Sequence, residues 1–188
     1  SGRLIRTVDA GNLVTTITYD SFGRKTSISD PNAGEISYSY DNAGNLASKT
    51  DAIGNTISYS YDEINRLIKT DYPDETPDVT YNYDESSSAN GKGRITSVDD
   101  GVSSTKFAYD INGNVEYLRK SIDNIDFIFT MEYDEQNKMT SLTYPDGTKT
   151  EREYSETGYL KAVKQGNGAY VQYGIALDDT GAFKNSVR

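Results

Sequence analysis

The chain alternates apolar and polar positions in short runs, separated by turn residues at nearly constant intervals. The clearest runs are Ile36-Ser-Tyr38-Ser-Tyr40, Ile57-Ser-Tyr59-Ser-Tyr61 and Val79-Thr-Tyr81-Asn-Tyr83. Period two places Ile or Val and both tyrosines on one face of a strand, and Ser, Thr and Asn on the other. Later runs keep the columns less strictly, with Phe107 and Tyr109, Met131 and Tyr133, Arg152 and Tyr154, Val171 and Tyr173. Each run is preceded by a second strand candidate beginning near Leu4, Leu46, Leu67, Ile95, Val115, Met139, Leu160 or Phe183. In this strand apolar residues fall three apart (Ile95 and Val98, Met139 and Leu142, Leu160 and Val163), which breaks period two and predicts a bulge or a change of face. No stretch reads as a helix.

The runs end on a recurring tyrosine. Tyr19-Asp20, Tyr40-Asp41, Tyr61-Asp62, Tyr83-Asp84, Tyr109-Asp110 and Tyr133-Asp134 are followed by a drifted Tyr154-Ser155, at intervals of 21, 21, 22, 26, 24 and 21 residues. A period of that size is one supersecondary unit stacked on its neighbours. Asp-x-x-Gly after the tyrosine fits a type I turn, in which the Asp bonds the turn backbone and the Gly takes a positive φ. The fourth position reads Gly2, Gly23, Gly44, Asn65, Gly93, Gly113, Asn137, Gly158 and Gly181. Asn is the next best residue for the left-handed region, so the column is a backbone requirement.

A second, looser turn closes the other end of each hairpin: Asp30-Pro-Asn-Ala-Gly34, Asp51-Ala-Ile-Gly54, Tyr72-Pro-Asp-Glu and Tyr144-Pro-Asp-Gly147. The 26-residue interval carries a polar Gly/Ser stretch over residues 85–93, and the 24-residue interval carries Asp123-Asn124-Ile125-Asp126; both read as longer hairpin tips. The grammar predicts an all-β fold of tandem hairpins of about 21 residues. They would form one continuous, curling antiparallel ribbon; a compact two-sheet β-solenoid satisfies the same pattern. Residues 1–188 read as a single array that enters and leaves in mid-repeat, as expected of a piece of a larger protein.

Tyr-Asp-x-x-Gly-Asn/Arg-Leu with a distal Ile-x-Tyr-x-Tyr-Asp, in seven registers, resembles the YD repeats of RHS-repeat proteins. The resemblance implies a segment of the β-shell found in bacterial polymorphic toxins, insecticidal toxin complexes and teneurin adhesion proteins. It implies a structural role in a large secreted bacterial protein, extracellular or at the cell surface, with neighbouring repeats and cargo or plug domains as partners. Toxin-type members resemble one another at a C-terminal Asp-Pro-x-Gly core that cuts the cargo free. Here Asp30-Pro31-Asn32-Ala33 lacks the Gly and sits in a hairpin turn, so auto-cleavage does not carry over.

Composition narrows the chemistry. A formal charge of −10 and no membrane-length apolar run argue against nucleic acid and a membrane span as partners. The absence of His and Cys removes the usual general bases, thiolate nucleophiles and most zinc sites, and no enzymatic activity is expected. Asp74-Glu75, Asp99-Asp100 and Asp178-Asp179 all fall in turns, where a carboxylate bonds nearby N–H groups. No cofactor is expected, with calcium the one alternative, at Asp110-Ile-Asn112-Gly-Asn114 or Asp123-Asn124-Ile-Asp126. The repeated tyrosines read as a cross-strand ladder. A carbohydrate-binding module is the second reading, and its glycan contacts would be the non-repeating aromatics Phe22, Tyr117, Phe127, Tyr159 and Tyr170. Unpaired outer strands predict edge-to-edge self-association.

Overall fold

The computed structural model describes residues 2–166, and every structural statement below concerns these residues. They form fifteen strands: β1 (Arg6–Val8), β2 (Val14–Tyr19), β3 (Lys25–Asp30), β4 (Gly34–Tyr40), β5 (Leu46–Thr50), β6 (Thr56–Tyr61), β7 (Leu67–Asp71) and β8 (Val79–Tyr83), then β9 (Ile95–Asp99), β10 (Ser103–Tyr109), β11 (Val115–Ile122), β12 (Ile125–Tyr133), β13 (Met139–Thr143), β14 (Lys149–Tyr154) and β15 (Leu160–Gln165). No helix occurs among the described residues, so none is long and apolar enough to cross a membrane. The chain divides into two compact units, Ser1–Tyr81 and Asn82–Arg188.

In unit 1 every strand from β1 to β7 pairs antiparallel with its sequence neighbours. In unit 2 the same holds from β9 to β15. Within each unit this is the ribbon topology rather than a two-sheet solenoid. One face carries the tyrosine columns and the other carries hydroxyls: in β4, Ile36, Tyr38 and Tyr40 are half-buried while Ser37 and Ser39 are exposed. The hydroxyls bond across strands in unit 1, with Thr18 to Ser27 at 2.8 Å, Ser39 to Ser48 at 2.6 Å and Thr50 to Thr56 at 2.8 Å. Such pairs contribute about 0.2–1 kcal/mol each.

The expected bulge recurs in repeat after repeat. Tyr19 pairs with Lys25 but Thr18 pairs with Ser27, leaving Thr26 as the extra residue. The same slip leaves out Ala47, Ile68, Glu116, Thr140 and Lys161. It explains the apolar spacing of three: Met139 opposes Tyr133 and Leu142 opposes Met131, so all four share a face. A type I turn closed by a left-handed residue makes this geometry, the three-residue hairpin loop with its bulge.

The two long intervals differ from each other. Asp123 and Asn124, at φ 51° and 62°, make a two-residue turn between lengthened strands β11 and β12, a longer hairpin as expected. Residues 85–93 do not project as a tip. The segment folds back so that Tyr109 N–H donates to Ala89 O (3.0 Å), Ser88 Oγ donates to Phe107 O (2.7 Å) and Asn90 Nδ2 donates to Tyr109 O (2.8 Å). Glu85 anchors its start by accepting from Thr96 Oγ1 and Ser97 Oγ, both on buried residues. Strand β9 pairs with β10 only at Ser104, Thr105 and Lys106, so the folded-back segment satisfies the backbone that β9 leaves open.

Candidate functional site

The residues that repeat converge on one structural node, the turn after each tyrosine. In unit 1 the Asp20 N–H donates to Arg24 O, Gly23 N–H donates to Asp20 O, and Arg24 donates to the Asp20 carboxylate through both its N–H and Nε, the latter at 2.7 Å. Asp41 and Asp62 repeat this with Asn45 and Arg66, and in unit 2 Asp110 does so with Asn114. At Asp134 the fifth residue, Lys138, donates its N–H (2.9 Å) and holds its ammonium 3.9 Å from the carboxylate. Where Asp has drifted to Ser155, the Ser hydroxyl accepts from Tyr159 N–H. Gly93 N–H closes on the Asp84 carboxylate across the long insertion.

The tyrosine hydroxyl ties one node to the repeat before it. Tyr19, Tyr40 and Tyr61 donate to the carbonyls of Leu4, Lys25 and Leu46 at 2.8–3.1 Å. In unit 2 Tyr109, Tyr133 and Tyr154 donate to Ile95, Val115 and Met139 at 2.6–2.9 Å. Lys25, Leu46, Val115 and Met139 are each the residue at which a bulge interrupts the ladder. The phenol therefore satisfies a carbonyl at the interrupted ladder position, while its ring adds to the column.

A third link was not visible in the repeat pattern. The fifth turn residue of one repeat reaches over the tyrosine and turn glycine of the next. Arg3 lies 5.6 Å from the Tyr19 ring centre, Arg24 4.5 Å from Tyr40, Arg94 5.4 Å from Tyr109, and Lys138 5.3 Å from Tyr154. A Cβ on Gly23 would fall 1.6 Å from Arg3 Nη2, and one on Gly113 2.2 Å from Arg94 Nη2; on Gly44 and Gly158 it would fall 3.7 Å from Arg24 and 3.4 Å from Lys138. Where the fifth residue is the short Asn45 or Asn114, the next fourth position is Asn65 or Asn137, and the two amides bond at 2.8 and 2.9 Å. A long cation is thus followed by Gly, and Asn by Asn. The column is a backbone requirement, since Asn65 and Asn137 sit at φ 63° and 61°, and also a seat for the preceding repeat. The signal was present in the sequence as a pairing between columns, not within one.

Hydrogen bonds hold the Asp41, Asp62 and Asp110 carboxyls below the ordinary carboxylate value. At Asp41 and Asp110 the foremost cause is the Asn45 or Asn114 side-chain amide, and at Asp62 it is the Arg66 N–H. A depressed folded value gives stability that is complete above the unfolded value and is lost as pH falls through the folded one. The urea midpoint should hold steady above about pH 5 and fall between roughly pH 4 and pH 2. Changing Asp41 and Asp110 together to Asn should flatten that limb; an unchanged slope would disconnect the turns from acid unfolding.

Among the described residues of unit 2, the non-repeating aromatics fall on different faces and turns. Phe22 is the third residue of a unit 1 turn, 81% exposed, with Arg24 5.3 Å from its ring centre. Tyr117 pairs with Ala108 and Thr130 on the face opposite the column of Tyr109 and Tyr133. Phe127 lies on the column face near the β11–β12 tip, and Tyr159 ends the Ser155 turn. Tyr170 lies outside the described residues, as do Val171, Tyr173, Asp178-Asp179, Gly181 and Phe183. For calcium, the Asp110 carboxylate is engaged by Asn114 and that of Asp126 by Arg119 and Ser121, and no group of three or more acidic side chains is placed to hold a metal among the described residues.

Hairpins joined by these three links define a β-repeat scaffold. The RHS Repeat family model matches residues 1–35 and 40–77, so this part of the chain carries repeats similar to those of RHS-repeat proteins. No curated protein sequence matches it. Its fold is similar to the crystal structure of TcdB2-TccC3-Cdc42 (TM-score 0.73, 12% identity, 97% of this chain and 12% of that one). It is likewise similar to TcdB2-TccC3 (0.74, 12% identity, 95% and 12%). A third is the Tc holotoxin pore of Photorhabdus luminescens (0.68, 12% identity, 95% and 12%). The chain spans about 12% of the length of these structures.

Proposed function

We propose that the chain is a wall segment of a β-shell or surface stalk, part of a large secreted RHS-type protein that encloses or presents another domain. The supporting observation is where the repeating side chains are spent. The column tyrosine, the Asp, and the fourth and fifth turn residues bond within their own hairpin or to the adjacent one. The role is geometric and non-enzymatic: carboxylates at the turns are committed to N–H groups, and the chain contains no His or Cys. Its partners are neighbouring repeats and the cargo or plug domains of the parent, in an extracellular or surface setting.

The test uses the longer polypeptide. Excising residues 40–60, one 21-residue register, keeps every local hairpin rule but shortens the wall. The enclosed domain should change from trypsin-resistant to trypsin-sensitive while the repeats stay folded. A domain equally resistant or equally sensitive in both forms would remove the enclosing role. Edge pairing belongs to the same reading, since the backbone of β1 is paired on one side only, by β2. Light scattering should show concentration-dependent association of the isolated array, and a strict monomer at high concentration would count against it.

A further inference from the structure

We propose that Asn112, in the turn between β10 and β11, is a site of spontaneous deamidation, its side-chain amide open to attack by the backbone nitrogen of Gly113. This chemistry goes beyond the scaffold reading and does not depend on it. At the third turn position other repeats place Phe22, Ala43, Ile64, Gln136 or Thr157, so closing the turn does not call for an asparagine there. At this turn alone among the described ones an Asn at that position precedes Gly, a residue with no side chain to shield its nitrogen.

Asn-Gly occurs at residues 90–91, 112–113 and 167–168, the last outside the described residues. The fold separates the first two. Asn90 Nδ2 donates to Tyr109 O at 2.8 Å, and Asn90 O accepts from Arg94 Nη1 at 3.0 Å. Gly91 beside it is buried, with Thr96 and Ser88 side-chain atoms 2.6 and 2.8 Å from where a Cβ would stand. Reaction at Asn90 therefore requires the folded-back segment to open first. Asn112 is exposed, and among the described residues its side-chain amide has no hydrogen-bond partner. Both glycine N–H groups hold a turn bond, Gly91 to Ser88 O at 3.3 Å and Gly113 to Asp110 O at 3.1 Å, so that bond does not distinguish the sites.

The Gly113 nitrogen, after giving its proton to hydroxide, attacks Asn112 Cγ. The bond from Cγ to Nδ2 breaks, and Nδ2 leaves as ammonia with a proton from water. The resulting five-membered succinimide is opened by water at either carbonyl, leaving aspartate or isoaspartate at position 112. The net change is water in and ammonia out. Isoaspartate carries the chain through its side-chain carbon and so adds one carbon to the backbone before Gly113. The loop it lengthens is closed by Asp110 N–H to Asn114 O at 2.9 Å and by Asn114 N–H to the Asp110 carboxylate at 2.8 Å. Gly113 is also the seat of Arg94, whose Nη2 lies 2.2 Å from where a Cβ would stand. The modification thus loosens one joint between repeats and leaves the other turns as they are.

The experiment holds the folded chain at physiological temperature in mildly alkaline buffer. Peptide masses are then mapped, with isoaspartate marked by enzymatic methyl transfer and Asn90, Asn112 and Asn167 read on separate peptides. Isoaspartate at position 112 should accumulate at least tenfold faster than at position 90, and faster as pH rises. In urea, where the fold no longer protects Asn90, the two rates should converge. Asn112→Gln, whose cyclisation needs a larger and slower-forming ring, should fold normally and form none there. In the aged chain the amides of Gly113 and Asn114 should lose exchange protection while those of Gly44 and Asn45, in the matching turn of unit 1, keep it. An intact Asn112, conversion no faster than at Asn90, a tenfold gap that persists in urea, or a converted chain with unchanged protection would each overturn the proposal.

Discussion

Gly113→Asn should destabilise the array while Arg94 is present and cost little once Arg94 has been changed to Asn. A Cβ at position 113 would lie 2.2 Å from Arg94 Nη2 and 2.9 Å from Cζ, so the guanidinium must leave its seat over Tyr109. Leaving forfeits a cation–aromatic contact of about 0.5–1 kcal/mol. The Arg94 Nη1 bond to Asn90 O, 3.0 Å long, is lost with it, at about 0.5–1.5 kcal/mol. The backbone adds little, because Asn takes the left-handed region at Asn65 and Asn137 in this same chain. The single variant should therefore lose about 1–2 kcal/mol, read from urea midpoints. In the double variant Arg94→Asn, Gly113→Asn, the two amides should bond as Asn114 and Asn137 do at 2.9 Å. A double-mutant cycle should return a favourable coupling of about 1 kcal/mol. Additive losses would mean that the pairing of columns is coincidental.

That pairing bears on how repeats choose neighbours. Stability in a repeat array is a sum of unit terms and nearest-neighbour interface terms. The tyrosine hydroxyl bonds a backbone carbonyl, which any residue supplies, so this link does not discriminate. The fifth-to-fourth link is made of side chains only, and a mismatch either clashes (a cation against Asn) or leaves a gap (Asn against Gly). It is the interface term that can set the order of repeats.

The sequence made the hairpins, the turn type and the bulge legible because each is a local consequence of spacing. Met139 and Leu142 three apart, with Gly158 or Asn137 at the fourth turn position, need no knowledge of the rest of the chain. The links between repeats were less legible. Tyr40 looks like a ladder member from its period, yet its hydroxyl bonds Lys25 O fifteen residues earlier, a contact that no period reveals. Residues 85–93 looked like a projecting tip because Gly and Ser favour loops. That composition does not tell a loop directed at water from one folded back onto β10. The candidate aromatics were chosen for departing from the repeat, and Tyr72 and Tyr144 depart too, within turns whose Pro and Asp make them look ordinary.

Tyr109 should be the most sensitive column position in unit 2. It is the one large apolar side chain that is buried among the described residues, at 9% exposure. The folded-back segment causes this: Ala89 O accepts the Tyr109 N–H and Arg94 covers the ring. Its hydroxyl makes a 2.6 Å bond to Ile95 O. Tyr109→Phe removes only that donor, and water enters poorly beneath the segment. The stranded carbonyl should cost about 1–3 kcal/mol. Tyr109→Ala also removes the ring and should cost about 3–5 kcal/mol. Tyr19 is the control: its hydroxyl makes a similar 2.9 Å bond to Leu4 O, but Leu4 is 58% exposed and water can replace the phenol. Tyr19→Phe should therefore cost less than about 1 kcal/mol. Hydrogen exchange separates the two causes. In Tyr109→Phe the amides of β9 and β10 should lose protection together, because the carbonyl joins one strand to the next. Loss confined to residues 85–93 would mean that the phenol serves the insertion alone and that the link between repeats is carried by the ring.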